Sequence, residues 1–332
     1  MSRLRLRGVV LCAGLGLRLR PLTATVPKPL LPIRGRSVLD RTLECLEAVG
    51  CEAAAINLHY LGDSIRAAIG DKRGSLEIVY SEEPDLLGTL GALAALRDFV
   101  EPADYVFLVN GDSVCAWPLR ALLDRHLETG ARATLLLHAT ADVEAFGGVG
   151  IDELDAITSF PGGPSSPRSS ATRVFAGAHV FSPPLLAGVE KRFSGIVQDL
   201  YVPALDRGDR LQGLESALEW HDLGTPRRYL EAGLAGCDTG SFKSPSAVVG
   251  TDSRLECSSI EAGAVVEGRC TISRSLLLPG AIVGAGSIVS GSIVGPGVSL
   301  PEGARVERTM VTAGVDGGLA ESLLDGNTRA VS

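Results

Sequence analysis

The chain has 332 residues, long for one compact core, so two domains are expected. Hydrophobic residues make up 45% and charged residues 21%, the balance of a globular protein, and no apolar stretch is long enough to cross a bilayer as a helix. The net charge of -8 and the lack of a long basic run exclude the usual nucleic-acid binders, so an anionic ligand would need a local positive cluster.

Arg3, Arg5 and Arg7 precede the apolar run Gly8 to Leu17. That arrangement imitates a secretory signal. The run holds two further glycines, however, and gives way at once to Arg18 and Arg20, which suits a buried first strand entering a loop. Val9 to Cys12 reads as that strand, and Val38 to Val49 as a helix with Ser37 as N-cap. Strands at Ala54 to Leu58 and Leu76 to Tyr80 flank a helix at Leu61 to Ile69. A helix at Thr89 to Phe99 leads to a strand at Tyr105 to Val109, and a helix at Leu119 to Leu127 to a strand at Ala133 to Leu137. The alternation predicts an α/β domain over residues 1–238 with a mostly parallel sheet, whose ligand lies outside the carboxyl ends of the strands. Pro161 to Thr172, rich in glycine, proline and serine, reads as a surface loop before strand-like sequence resumes at Val174.

The pattern changes after Val248. Ile260, Val266, Ile272 and Leu278 are spaced by six, as are Val294, Leu300 and Val306, with small residues between them. This period predicts a β-helix over residues 246–312, each aliphatic stacking inward on its equivalent in the next coil. The five-residue step from Leu278 to Val283 reads as a register slip, and residues 313–332 as a cap or tail. A glycine-rich β-sandwich fits the spacing less well, because the spacing recurs on both sides of the slip. Seven cysteines at irregular spacing, without a CxxC pair, predict neither a disulfide framework nor a zinc site; reduced thiols in a cytoplasmic protein are expected.

Chemistry concentrates in the loop after the first strand, Leu11 to Gly35. It is not a P-loop, since no Gly-Lys-Ser/Thr follows, and Leu19 stands where a dinucleotide fingerprint needs its third glycine. Gly14 and Gly16 let backbone N–H groups approach an anion, Arg18 and Arg20 add charge, and Pro27 and Pro29 fix the backbone around Lys28. Asp112 at a strand end and Asp222 before a Gly-Thr-Pro turn are carboxylates of the kind Mg²⁺ takes, though either alone reads better as a turn or capping residue.

These segments together resemble the sugar-1-phosphate nucleotidyltransferase family, whose signature is GxGTRLxPLT followed by PKP. Ser81 to Leu93 resembles the base-contacting segment, Leu108 to Asp112 the metal-binding strand end, and Phe146 to Val149 the sugar-facing turn. Phe175 to Pro183 resembles a sugar-side strand and Trp220 to Pro226 the closing aspartate motif. Many members also carry a C-terminal left-handed β-helix.

The resemblance implies a Rossmann-like nucleotidyltransferase domain. In it Arg18 and Lys28 handle the phosphates, and Asp112 and Asp222 share Mg²⁺. Leu11, Ala13, Gly14, Gly16, Gly88 and Thr89 would bind the nucleotide, and Gly147 and Gly177 the sugar. The partners would be a nucleoside triphosphate and a sugar 1-phosphate, with no nucleic acid or membrane, in a homo-oligomer built through the β-helix.

Leu17 replaces the family's threonine, Gly162-Gly163-Pro164 replaces its Glu-Lys-Pro, and Phe175 replaces an asparagine. The lost lysine removes a sugar-phosphate contact that Arg168 or Arg173 could replace. Leu87 to Ala92 is closest to guanylyltransferases acting on mannose 1-phosphate or a related manno-sugar. The alternatives are a uridylyl- or thymidylyltransferase for another sugar 1-phosphate, such as N-acetylmuramate or glucose 1-phosphate, and a non-catalytic nucleotide-sugar-binding regulator. No histidine follows His221, which speaks against an acyltransferase in the β-helix.

Overall fold

The sequence LRGVVL forms strand β1 (Leu6–Leu11), and Val9 and Val10 are buried on opposite faces of it. A run apolar on both faces belongs inside a parallel sheet covered by helices. The computed structural model describes residues 4–140, 142–163, 167–314 and 318–324. Beside β1 stand β2 (Ala53–Leu58), β3 (Leu76–Glu82) and β4 (Tyr105–Asn110). The order is β4-β1-β2-β3, all parallel.

The sheet continues with β5 (Ala133–His138), β6 (Gly148–Ile151), β7 (Ala171–Phe181) and β8 (Leu211–Ser216). β7 runs antiparallel to β4, β5 and β6, while β8 is parallel to β5. The expected mostly parallel sheet is present, with antiparallel strands gathered on one side of it.

Helices packing in the same region include α1 (Val38–Val49), α2 (Gly62–Ile69), α3 (Gly88–Ala95), α4 (Arg97–Val100) and α5 (Leu119–Thr129). α1 approaches β1 closely at Gly8, where an added Cβ would lie 2.6 Å from a Leu46 methyl. The single helix expected at Thr89 to Phe99 is divided at Leu96, whose N–H is shared by the carbonyls of Ala92 and Leu93, so the last turn tightens and the axis restarts. Ser37, expected as an N-cap, immediately precedes α1 and also ends the short strand Arg36–Ser37, so the chain enters the helix from a hairpin.

Two histidines are buried in this region. His179 bonds the Tyr201 hydroxyl at 2.7 Å, and burial pushes its pKa down from 6.5 to about 3. His126 bonds Thr134, and burial pushes it down to about 4. Both stay neutral in the fold, whereas the unfolded chain takes up protons below pH 6.5. The stability they allow is therefore complete above about pH 6.5 and lost as pH falls towards 4. Each histidine removes at most about 1.4 kcal/mol per pH unit in that window. A melting-temperature series from pH 7.5 to 5 should fall, and His179→Gln should flatten it; an equally steep series in the variant would show that the cause lies elsewhere.

Contacts divide the chain into one unit of Met1–Gly14 with Leu39–Trp220, and a second of Leu15–Val38 with His221–Ser332. In the second unit, α6 (Pro226–Leu234) begins at Thr225, whose hydroxyl accepts from the Arg228 N–H. Short parallel strands follow in three stacked sheets, which is the coil of a β-helix consistent with the left-handed type. A sandwich is excluded because neighbouring strands in all three stacks run parallel.

The expected six-residue period needs one correction. The coil is 17 residues, as the Ser258-to-Ser275 step shows. Its inward residues step by six, six and five: Ile260, Val266, Ile272, then Leu277 rather than Leu278. The apparent slip is thus the short corner, and it returns in every coil. Ser258, Ser275 and Ser292 line that corner. Each accepts the backbone N–H one coil later, at 3.2, 3.1 and 3.2 Å, and donates to a carbonyl of its own coil. A short corner would otherwise strand these N–H groups in a dry stack. Leu319–Leu323 pairs antiparallel with Thr309–Ala313, ending the parallel stack and covering its open edge.

The expectation of seven reduced thiols is also corrected. Cys237 and Cys257 are bonded, with Cα atoms 4.8 Å apart, while Cys12, Cys45, Cys51, Cys115 and Cys270 are in no disulfide. Irregular sequence spacing conceals the pair, because it is the first coil that returns the chain beside the turn after α6.

Candidate active site

Parallel strands end in loops on one side of a sheet, and a crevice opens where neighbouring strands send their connections opposite ways. β1 has β4 on one side and β2 on the other, so that point lies at the ends of β1 and β4. A cavity of about 260 Å³ is found there, lined by Leu11 at the end of β1 with Ala13 and Gly14 after it, Asn57 near the end of β2, Glu83 after β3, and Asn110 at the end of β4 with Asp112 after it. Leu86, Gly88, Thr89 and Phe193 complete it.

Buried side chains tie these strand ends together. The Cys12 N–H donates to Asn57 Oδ1 at 2.7 Å, Asn57 Nδ2 donates to Glu83 Oε1 at 2.8 Å, and the Leu87 N–H donates to Glu83 Oε2 at 3.0 Å. Asn57 is 3% and Glu83 2% exposed. Glu83 thus lies against the cavity with two neutral donors, the Asn57 amide and the Leu87 N–H, and its burial leaves it a strong acceptor for any further donor. Gly111 brings Asp112 in: its N–H donates to Leu11 O at 2.9 Å, and a Cβ there would lie 2.6 Å from that oxygen. Burial, with the Asp112 charge adding to it, pushes the Cys12 thiol up, so Cys12 is no nucleophile near neutral pH.

α3 meets the loop before residue 196 almost backbone to backbone. Gly88 has φ +69°, and an added Cβ would lie 2.5 Å from Ser194 O. Leu90 N–H donates to Ser194 O, Ser194 N–H to Leu87 O, and Ile196 N–H to Thr89 Oγ1. These bonds hold Phe193 at the cavity with 73% of its surface exposed.

Of the two glycines expected at the sugar, Gly177 has φ +90° and backs onto the Asn110 side chain, while Gly147 has φ +82° and backs onto Pro161. Neither is among the cavity-lining residues. Arg173, one candidate for the lost lysine's role, is paired with Glu215 at 2.7 Å. Arg168 lies outside the cavity lining, and Pro164 falls outside the described residues.

The second unit gathers the other expected residues. Gly16, in the left-handed conformation, starts the 3-10 turn Leu17–Leu19 that presents Arg18, and the Thr23 hydroxyl donates to Gly16 O. Lys28 is 8% exposed and starts the turn Lys28–Leu30 between its two prolines. Asp222 Oδ1 accepts from Gly224 N at 2.9 Å and from Arg228 Nη1 at 3.0 Å. A Cβ at Gly224 would lie 3.1 Å from Arg18 Nη2, which sets that guanidinium beside the Asp222 turn. Arg228 was not foreseen; its place six residues after Asp222, in the first turn of a helix, was the available signal.

Among the described residues no group of three or more His, Cys, Asp or Glu could hold a metal unaided. Mg²⁺ does not need one, since it binds through one or two carboxylates together with substrate phosphates. Asp112 against the cavity and the unengaged Oδ2 of Asp222 are donors of that kind. Among the described residues no helix is long and apolar enough to cross a membrane.

Residues 7–238 match the family described as nucleotidyl transferase. The chain is 32% identical over 249 residues to the mannose-1-phosphate guanylyltransferase of Mycobacterium tuberculosis, covering 74% of this chain and 68% of that one. It is 28% identical over 228 residues to the catalytic subunit beta of the Drosophila pseudoobscura pseudoobscura mannose-1-phosphate guanylyltransferase, over 68% of this chain and 60% of the relative's length. A Synechocystis UTP–glucose-1-phosphate uridylyltransferase is also 28% identical, over 68% of this chain and 62% of its own. Among solved structures, HddC from Yersinia pseudotuberculosis complexed with GMP-PN superposes with a TM-score of 0.57 at 23% identity, covering 68% of this chain and 97% of that one.

Proposed function

Because the chain belongs to the nucleotidyl transferase family, we propose that it joins a nucleoside triphosphate to a sugar 1-phosphate and releases pyrophosphate. The observation that supports this most is the cavity at the ends of β1 and β4, where Leu11, Ala13, Gly14, Gly88, Thr89 and Asp112 line one space large enough for a nucleoside. A sugar-phosphate oxygen attacks the α-phosphorus, and the bond to the β-phosphate oxygen breaks. Both reactants are anions, so positioning and charge neutralisation carry the rate.

Arg18 pairs with the triphosphate and with the charge that grows on the departing pyrophosphate. Lys28 acts as a point charge on the reacting phosphates. Mg²⁺, bound to the triphosphate, would supply the remaining neutralisation, with Asp112 and Asp222 as its protein ligands. Arg228 holds Asp222 through Oδ1 alone. No covalent intermediate is required, in keeping with the buried, protonated Cys12.

The base we favour is guanine. Its N1–H and N2–H₂ are adjacent donors, and the Glu83 carboxyl group at the cavity wall is an acceptor whose donors are the neutral amides of Asn57 and Leu87. The names of the Mycobacterium and Drosophila relatives support mannose 1-phosphate as the sugar partner. The uridylyl reading has one observation in its favour, the Synechocystis relative at the same 28% identity.

The test is a matrix of GTP, UTP, dTTP, ATP and CTP against a panel of sugar 1-phosphates with Mg²⁺, following pyrophosphate. GTP with mannose 1-phosphate should turn over fastest. A preference for UTP would overturn the guanine assignment. Tight nucleotide-sugar binding with no turnover in any combination would overturn the enzymatic reading in favour of a regulator.

A further inference from the structure

The stretch carrying Arg18 and Lys28 ends in a small hairpin, and the tip of that hairpin is seated on the first two coils of the β-helix. Pro32–Ile33 pairs antiparallel with Arg36–Ser37, leaving Arg34 and Gly35 as a two-residue turn with φ of 49° and 80°. Positive φ at both central residues is the type I′ geometry that closes tight hairpins. The Gly35 N–H donates to Glu261 Oε2 at 2.8 Å, and a Cβ on Gly35 would lie 2.8 Å from the Phe242 ring. Arg34 Nη1 donates to Ala235 O at 2.8 Å, and the Tyr229 hydroxyl, fully buried on α6, donates to Pro32 O at 2.8 Å.

Glu261 is 2% exposed, and its Oε1 accepts from the Ser259 hydroxyl at 2.7 Å. Glu261 stands on the outer side of the coil, one residue past the inward Ile260, and a carboxylate buried there is costly unless it binds something. What it binds is the hairpin tip. From there a short hydrogen-bonded path leads back to Lys28: Leu31, fully buried, donates to Lys28 O at 3.1 Å and accepts from the Val38 N–H at 3.3 Å.

We infer that α6 and the first two coils of the β-helix position the basic loop, with Tyr229 and Glu261 as the positioning residues. This rests on the reading of Arg18 and Lys28 as the triphosphate-binding pair. A flexible loop with two cations must be ordered each time it meets a triphosphate; these elements order it beforehand. The β-helix then serves to order the residues read as triphosphate-binding.

The test uses the full-length Glu261→Ala variant, with Glu261→Gln as the conservative companion, since glutamine keeps an acceptor for the Gly35 N–H. Losing the bond should raise KM for the triphosphate about tenfold more than it lowers kcat. Hydrogen exchange should show Gly35 and Leu31 losing protection while the coils beyond Leu276 keep theirs, and Glu261→Gln should recover most of both effects. An exposed Gly35 amide with KM within about twofold of the parent overturns the inference. If Glu261→Ala does not fold, Tyr229→Phe removes only the hydroxyl at Pro32, and an unchanged KM there overturns it equally. If the parent turns over no triphosphate, the substrate reading has failed separately. Calorimetric affinity for Mg²⁺ with inorganic tripolyphosphate then takes the place of KM, and equal affinity in parent and Glu261→Ala overturns the inference.

Discussion

Asp112→Ala should abolish turnover, by ~1000-fold or more, while the melting temperature moves by only a few degrees. The size follows from its assigned task. A carboxylate that holds Mg²⁺ against the triphosphate acts where charge accumulates, and losing it exposes the reaction to several kcal/mol of electrostatic repulsion. The small thermal effect follows from its location. Asp112 is half-buried at the cavity, and the contacts that fix the end of β4 are made by the backbone of Gly111 and the buried strand before it. Steady-state pyrophosphate release with GTP and mannose 1-phosphate, beside a circular-dichroism melt, separates the two quantities. Near-normal turnover would mean that the metal is held elsewhere. Lost turnover with a collapsed melt would mean that Asp112 is structural.

The second large effect is expected from Gly88→Ala, which adds one methyl group and no charge. The new Cβ would meet Ser194 O at 2.5 Å, and the backbone sits at φ +69°, where only glycine is free of penalty. Backbone cannot turn aside as a side chain can, so either α3 or the loop carrying Phe193 must move. The strain costs about 1–3 kcal/mol, and the cavity loses its shape at the wall assigned to the nucleoside. Triphosphate KM should rise about tenfold or more, with a fall of several degrees in melting temperature. Gly14→Ala is the informative contrast. A Cβ there meets nothing within 4 Å, so the melt should stay unchanged while a ligand lying against that glycine is displaced. Parent-like KM in both variants would remove the nucleoside from this cavity.

The sequence showed the sheet well for a plain reason. Central parallel strands such as AAAINL and YVFLVN are apolar on both faces and short, a pattern helices rarely share. The β-helix was legible as a class from its six-residue aliphatic steps. Its true coil was not, because Leu277 and Leu278 are both buried and sequence alone could not say which turns inward. The loop glycines and the residues lining the cavity from β1, α3 and the end of β4 were legible because they sit in contiguous segments. Phe193 was missed as a site residue because it reaches the cavity from a distant loop, Glu83 because nothing in its segment set it apart from its acidic neighbours, and Arg228 because its partner is a carboxylate six residues away. Asn57 left a trace that could have been followed: an amide inside an otherwise aliphatic strand must bond something, and here it bonds both neighbouring strand ends. The Cys237–Cys257 pair left no such trace, since only the winding of the first coil brings the two together.

The serine ladder has a consequence for how this protein can change length. Every hydroxyl along it is matched to an amide one full winding away, and every aliphatic is matched to another at the same distance. Adding or deleting a single residue anywhere between Ser258 and Thr309 would misalign both columns downstream of the change. Removing a whole winding, as from Ser275 to Gly291, would leave each remaining serine facing an equivalent amide. The tower can therefore gain or lose storeys, but it cannot stretch within one.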